Sequence, residues 1–374
     1  MIEILITGDF CPINKIESLS LEGNHEAIYN DFIKITQRVD LAITNLECPL
    51  TDTNTEVNKI GPCLKAGVKT LETLKYGNFG LVTLANNHIM DQGIEGLNST
   101  LNCLNQHNID YVGVGKNLQS ARIPFIKTLK NKKIAFFNFA ENEFSNSYDN
   151  GPGANPLSLV SNFNSIQSYR NQVDKIIVIV HGGNEMHNLP SPRFKETLRF
   201  FVDAGADAVV AHHSHCCSGY ELYNEVPIFY GLGNFLFDYK NRDNLLWTLG
   251  MGIILKLNDN KITFELIPFF QNKENQDGIK LLEPSERLAF ESKMNELNAV
   301  IADDILLNNE FQKFILANKK QYSHFLEPYS NRILHALFSR KLVPSFYSKR
   351  KKLLLLNLIR CESHRDIILN LLSK

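Results

Sequence analysis

Residues 205–215 read Gly205-Ala206-Asp207-Ala208-Val209-Val210-Ala211-His212-His213-Ser214-His215. Four consecutive apolar residues with no polar alternation form the pattern of a short strand buried on both faces. The run stops abruptly at three histidines in four positions. Because the cluster follows a buried strand, its imidazoles should emerge at a sheet edge, where open α/β sheets bind ligands.

The same pattern recurs on both sides of this stretch. Residues 2–7 lead to Gly8-Asp9, residues 41–44 to Asn45-Leu46-Glu47, and residues 81–85 to Asn86-Asn87-His88. Residues 176–180 lead to His181-Gly182-Gly183, and residues 228–230 to the turn ending at Asn234. Helical periods lie between several of these strands, at 93–106 and 192–204. Two pairs of runs read as antiparallel hairpins: 125–129 with 134–139, and 251–257 with 261–267, turning at Asp259-Asn260. Parallel units combined with hairpins predict an α/β fold built as a two-sheet sandwich with outer helices. After residue 276 the texture changes to helical periods at 285–297, 300–316 and 331–337, followed by Lys349-Arg350-Lys351-Lys352 and an apolar run. The expected organisation is therefore an α/β domain over 1–276 and an α-helical extension over 277–374.

Composition narrows the function classes. The 374 residues are 44% hydrophobic, ordinary for a soluble protein with a sizeable core. A formal net charge of −1 gives no general attraction to nucleic acid. No apolar run is long enough to span a bilayer, and the first residues lack the pattern of a secretory leader. The seven cysteines follow no disulfide-framework spacing. The expected location is the cytoplasm.

The polar residues at the predicted strand ends are Asp9, Glu47, Asn87, His88, His181, His213 and His215. Two carboxylates, an amide oxygen and several imidazoles suit Zn, Mn, Fe or Mg better than copper(I) or an iron–sulfur cluster. Taken singly, each has a plainer explanation. An Asp after Gly is more often a turn or cap, and a lone His is more often a structural histidine. For the whole set to be structural, several strands would have to end in metal-compatible groups by accident.

Residues 84–93, Leu-Ala-Asn-Asn-His-Ile-Met-Asp-Gln-Gly, are similar to the L-x-N-N-H-x-x-D-x-G segment of the CapA-type capsule-synthesis (poly-γ-glutamate synthesis) family. Asn45-Leu46-Glu47-Cys48-Pro49-Leu50-Thr51 resembles its N-L-E-x-P-L-T, and residues 205–215 resemble its G-A-D-x-V-x-G-H-H-P-H. Leu232-Gly233-Asn234-Phe235 with Asp238 is similar to its L-G-N-F-x-x-D. All four fall in the family's order within residues 1–270. That family is related to the metallophosphoesterases, whose site is assembled from loops after successive strands.

The resemblance implies one or two divalent ions. It implies Glu47, Asn87, His181 and His213 around one ion, with Asp9, Glu47 and His215 around the other, and His88 as the group that protonates a leaving group. In metallophosphoesterases the first motif reads D-x-H, whereas here it reads Asp9-Phe10-Cys11. Cys11 is then either a thiolate ligand or, as is commoner for a free cysteine, a small buried residue. Glu185 matches an acidic family position and either contacts water or substrate, or orients a ligand histidine. Asn45 and Asn234 are candidates for a ligand or for a residue orienting one.

The implied function is metal-dependent hydrolysis of a phosphoester or amide bond, in making or trimming poly-γ-glutamate or another surface polymer. The substrate would be a small molecule or a polymer, and polymer-synthesis proteins are candidate partners. Two alternatives stand beside it: a non-enzymatic, metal-stabilised assembly subunit of a polymer synthase, and a small-molecule phosphatase. The Lys349-Arg350-Lys351-Lys352 run reads either as a contact for an acidic polymer or membrane, or as a basic helix C-terminus.

Overall fold

The structure is a computed structural model and describes residues 1–59, 61–148, 150–239, 244–259, 261–273, 277–326, 331–360 and 364. The chain first lays down four parallel strands, β1 (Ile2–Cys11), β2 (Leu41–Leu46), β3 (Phe79–Thr83) and β4 (Asp110–Val112). After β5 (Val114–Gly115) it enters a second sheet through the hairpin β6 (Phe125–Leu129) and β7 (Lys132–Ala140). Then β8 (Gly153–Ala154) pairs back onto β5. The second sheet continues with β9 (Lys175–His181), β10 (Ala208–His212), β11 (Tyr220–Tyr223) and β12 (Val226–Phe229). Finally β13 (Asn234–Phe237), β14 (Leu249–Leu257), β15 (Ile262–Gln271) and β16 (Ile279–Leu281) return the chain to the first sheet.

The result is an eight-stranded sheet ordered β16-β15-β14-β1-β2-β3-β4, with β13 also on β1, and a six-stranded sheet ordered β11-β12-β10-β9-β7-β6. Strand β1 shows why the two pack together. Its Ile2, Ile4 and Ile6 join the core shared with Phe137, Ile177 and Val209 of the second sheet. Leu5 faces the opposite way and joins Phe32, Leu74 and Phe235 in a separate core under the outer helices. The period-2 alternation of a strand thus serves two layers at once. The two-sheet sandwich with outer helices, and the helical C-terminal region, are as the sequence led one to expect.

Three details differ from the sequence reading. Strand β1 does not end before Gly8-Asp9. It runs on to Cys11 because β13 pairs parallel to it, Asp9 opposite Asn234 and Cys11 opposite Phe237. The turn between β14 and β15 was placed at Asp259-Asn260, of which Asn260 lies outside the described residues. The change of texture near 277 marks a change from strands to helices and not the end of packing. β16 pairs with β15, and the helix Pro284–Ala302 puts Phe290, Met294, Leu297 and Ile301 into the core. The compact unit therefore runs from Met1–Asn309, and Glu310–Lys374 forms a second. That second unit contains most of the helix Asp304–Leu326 and the helices Arg332–Ser339 and Lys349–Arg360. Among the described residues no helix is long and apolar enough to cross a membrane.

Insertion of β13 forces two backbones together beside the site. A Cβ on Gly8 would lie 1.8 Å from the Gly233 carbonyl oxygen, and that carbonyl accepts the Asp9 N–H at 3.1 Å. Only glycine fits there. Gly8→Ala is expected to destabilise the fold by more than about 2 kcal/mol, read as a lowered urea midpoint. An unchanged midpoint would mean that β13 does not sit where it is described.

Candidate metal centre

The C-terminal ends of β1, β2, β3, β9 and β10 converge between the sheets. Asp9, Asn45 and Glu47 come from β1, β2 and the residue following β2, all fully buried. A loop after β3 presents Asn87 and His88. Asn86 shapes this loop: its amide donates to the Leu46 carbonyl at 2.8 Å and accepts from the backbone N–H groups of His88 and Ile89 at 3.1 and 2.9 Å. From the second sheet, His181 closes β9, while His213 and His215 follow β10. His212 does not join them. It turns back to the Thr7 carbonyl of β1 at 3.0 Å and ties the two sheets together.

The backbone pays a conformational cost to aim the last two imidazoles. His213 has φ 88° and His215 φ 55°, both in the left-handed region. For non-glycine residues this costs on the order of 1–3 kcal/mol each. The strain turns both side chains towards the same buried carboxylates.

Two groups of donor atoms result. His181 Nε2 lies 3.0 Å from Asn87 Oδ1, 3.1 Å from His213 Nδ1 and 3.6 Å from Glu47 Oε1. Ligands about 2.1 Å from a tetrahedral ion would be separated by about 3.4 Å, so this spacing fits one ion. The second group is Asp9, Glu47 and His215, with His215 Nε2 3.6 Å from Glu47 Oε1. Glu47 belongs to both. Its two carboxylate oxygens are buried with no hydrogen-bond partner among the described residues. A buried carboxylate left so costs several kcal/mol unless a cation faces it, and this orphaned pair is the strongest sign that the donor set fits a metal.

The polar residues behind the donors fix their direction. Asn45 donates to Asp9 Oδ1 at 2.8 Å and lies 3.2 Å from His181 Nδ1. Asn234 Oδ1 sits 3.0 Å from His215 Nδ1. A proton on that nitrogen leaves Nε2 free to act as a donor atom. Both asparagines thus orient other groups, whereas Asn87 itself enters the first donor group.

Charge is finely divided here. Burial would raise the Asp9 carboxyl, but the hydrogen bond from His215 and the charge of His181 hold it well below the usual range. Burial, reinforced by Asp9, pushes Glu47 well above its usual value. Burial and neighbouring His213 hold His181 down. Burial opposes protonation of His215, yet Glu47 and Asp9 push it up to about 10.

Cys11 lies apart from both groups. It is fully buried in the core under the outer helices, and burial with neighbouring Cys48 pushes its thiol up. A thiol held protonated is a poor ligand, so the packed alternative describes its surroundings. Glu185 stands at the rim, 60% exposed, with its carboxylate 4.0 Å from His213 Nε2.

His88 is held by partners that the sequence reading left without a role. Its Nδ1 is 2.6 Å from Asp91 Oδ2. Asp91 also accepts the Leu64 N–H at 2.6 Å and pairs with Lys59, whose side chain is only 4% exposed. The His88–Asp91 spacing of three residues was visible in the motif, but Lys59 stands in no motif. Above the centre opens a cleft of about 260 Å³, lined by Asn87, His88, Glu185, Met186, His215 and Trp247 among others. The Trp247 and Phe237 rings pack against His215 at 4.9 and 5.5 Å between centroids. Trp247 was also missed, because it comes from a short helix with no motif around it.

Fold and site together define a two-sheet α/β sandwich carrying a buried, two-lobed carboxylate–imidazole centre able to hold divalent ions. The chain belongs to the family described as bacterial capsule synthesis protein PGA_cap, whose model matches residues 3–239. It is 29% identical over 255 residues to the PGA biosynthesis protein CapA of Bacillus subtilis (strain 168), covering 64% of this chain and 65% of that one. It is 32% identical over 181 residues to the capsule biosynthesis protein CapA of Bacillus anthracis, covering 47% and 44%. The matched region thus spans less than two thirds of either relative. Among solved structures, a hypothetical protein from Thermus thermophilus superposes with a TM-score of 0.47 at 12% identity, over 75% of this chain and 100% of that one.

Titration of the metal-free protein with Zn or Mn in a calorimeter should show unequal sites, the four-donor group binding more tightly than the three-donor group. Glu47→Gln, which alters the shared carboxylate, should abolish both. Cys11→Ser should leave both affinities unchanged while lowering stability by about 1–3 kcal/mol for a buried hydroxyl. Loss of one site in Cys11→Ser would make the thiol a ligand after all.

Proposed function

We propose that the chain is a metal-dependent hydrolase that cleaves a phosphoester or amide bond in the making or trimming of a surface polymer. The observation that carries this reading is the unpaired Glu47 carboxylate shared by two donor groups, with His88 beside them at the floor of a cleft. A dication bound at such a centre supplies a Lewis acid that allows water to ionise near pH 7.

The chain's own residues would supply the rest. Glu47, Asn87, His181 and His213 would hold one ion, and Asp9, Glu47 and His215 the other. Asp91 fixes the His88 ring through Nδ1, so Nε2 is the nitrogen left to meet substrate. A proton carried there would pass to the leaving group as its bond breaks. Burial holds His88 below its usual value, against the Asp91 carboxylate, which favours its charged form. Lys59 pairs with the buried Asp91 and offsets its charge. The aromatic rings against His215 exclude water from one side of the centre.

The relatives' names place them in PGA and capsule biosynthesis, which supports a polymer or a polymer precursor as the substrate.

The test is a panel of phosphodiesters and γ-glutamyl amides assayed with the metal-loaded protein. His88→Asn should retain metal and lose about 10²–10⁴-fold in kcat on substrates with poor leaving groups. With p-nitrophenol as the leaving group, which needs little protonation, the loss should be much smaller. Equal losses on both substrates would remove His88 from the role of proton donor. No turnover of any panel member by metal-replete wild type would defeat the hydrolase reading.

A further inference from the structure

Residues 331–360 contain eight Lys/Arg and no Asp/Glu. The whole chain has 39 and 40, so the rest holds 31 Lys/Arg against 40 Asp/Glu. The near-neutral total therefore hides one strongly basic segment, which the proposed hydrolytic chemistry does not use.

The local structure makes the basic run harder to explain as helix capping. Cations favour a helix C-terminus, where the macrodipole is negative. Lys349, Arg350, Lys351 and Lys352 instead open the helix Lys349–Arg360, in a first turn that holds no acidic residue. Four exposed cations there repel one another and the positive end of the dipole. The arrangement calls for anions from outside the helix.

Most of the remainder of the same helix is apolar, and several of its side chains face water. Leu353, Leu354, Leu356 and Ile359 are all exposed, Leu353 and Ile359 at 59% each. Ile333 on the helix Arg332–Ser339 and Leu342 just after it are exposed as well, at 69% and 67%. A soluble acidic polymer would answer the cations and leave these side chains in water. An apolar groove on a protein would cover the side chains, but would answer four adjacent cations only if carboxylates rimmed it at one end. A surface of anionic headgroups over acyl chains satisfies both. At 12 residues the helix is about 18 Å long, well short of the roughly 30 Å hydrocarbon core, so it would lie in the interface and not cross it.

We propose that the C-terminal helices bind the surface of an anionic lipid bilayer, through the Lys349–Lys352 cations and the leucines that follow them. One basic cluster or one short apolar face alone gives marginal, reversible binding, whereas two signals together give stable attachment.

The test uses the full chain in sedimentation with vesicles of phosphatidylcholine alone and of phosphatidylcholine with 30% phosphatidylglycerol. Binding is expected to the anionic vesicles only, and to weaken as salt rises from 0.1 to 0.5 M. Each cation near the surface contributes about fivefold. Replacing all four by Gln should therefore lower partitioning on the order of a hundredfold or more. Leu353→Ser with Leu356→Ser and Ile359→Ser should lower it about tenfold or more with every charge intact. Because these side chains are exposed, helix content by circular dichroism and unfolding of the N-terminal unit should not change. Equal binding to both vesicle types, or no binding to either, would overturn the proposal. So would capture by poly-glutamate at the same affinity in wild type and the serine variant, which would make the ligand a soluble polyanion.

Discussion

The architecture is organised around one carboxylate that the protein itself leaves without a partner. Glu47 sits at the meeting point of two sheets, fully buried, with neither oxygen hydrogen-bonded among the described residues. Such a group is unfavourable in a low-dielectric interior. Of its neighbours only His215, which Glu47 and Asp9 push up to about 10, offsets it with charge; His181 is held down and Asp9 is a second carboxylate. Everything around it is consistent with a missing positive charge. The asparagines behind the cluster fix which ring nitrogens are free, and two histidines accept left-handed backbone conformations to face it. Metal binding and stability are therefore opposed in the metal-free state. The residues that best serve an ion are those the fold would otherwise do better without.

The proton donor proposed for the site, His88, rests on a separate construction. The His88–Asp91–Lys59 chain is anchored in the loops after β2 and β3, yet it is adjacent in sequence to Asn87 of the first donor group. One short loop, shaped by the Asn86 side chain, thus sets both the ion-facing oxygen and the imidazole that would face substrate. Their relative placement depends on the same few hydrogen bonds, so a change to Asn86 would disturb both together.

Much of this was legible in the chain. The buried strands carry uninterrupted apolar runs, and each ends in a polar cluster, so residues such as His181, His213 and Glu47 could be assigned to strand ends, although the structure divides those ends between two sheets. What remained hidden depends on contacts distant in sequence. β1 looked finished at Thr7 because nothing local signals that β13, more than 200 residues later, extends it through Cys11. Lys59 lies in a loop without periodicity, and its role comes only from the fold that buries it against Asp91. The helix Pro284–Ala302 read as part of a separate extension because its pattern is helical, although its buried face belongs to the shared core. The basic run at 349–352 was read either as a contact for an acidic polymer or membrane or as a helix C-terminus, whereas it opens the helix Lys349–Arg360.

The donor atoms are divided between the sheets. Asp9, Glu47 and Asn87 belong to the first, and His181, His213 and His215 to the second, across more than 90 residues of intervening chain. Each of the two donor groups draws on both halves. The centre consequently comes into being only after both sheets have formed and docked, which places it among the last features to appear during folding. Uptake of an ion would then act as a checkpoint on synthesis. A truncated or misassembled chain would lack one half of the donors and could complete neither group.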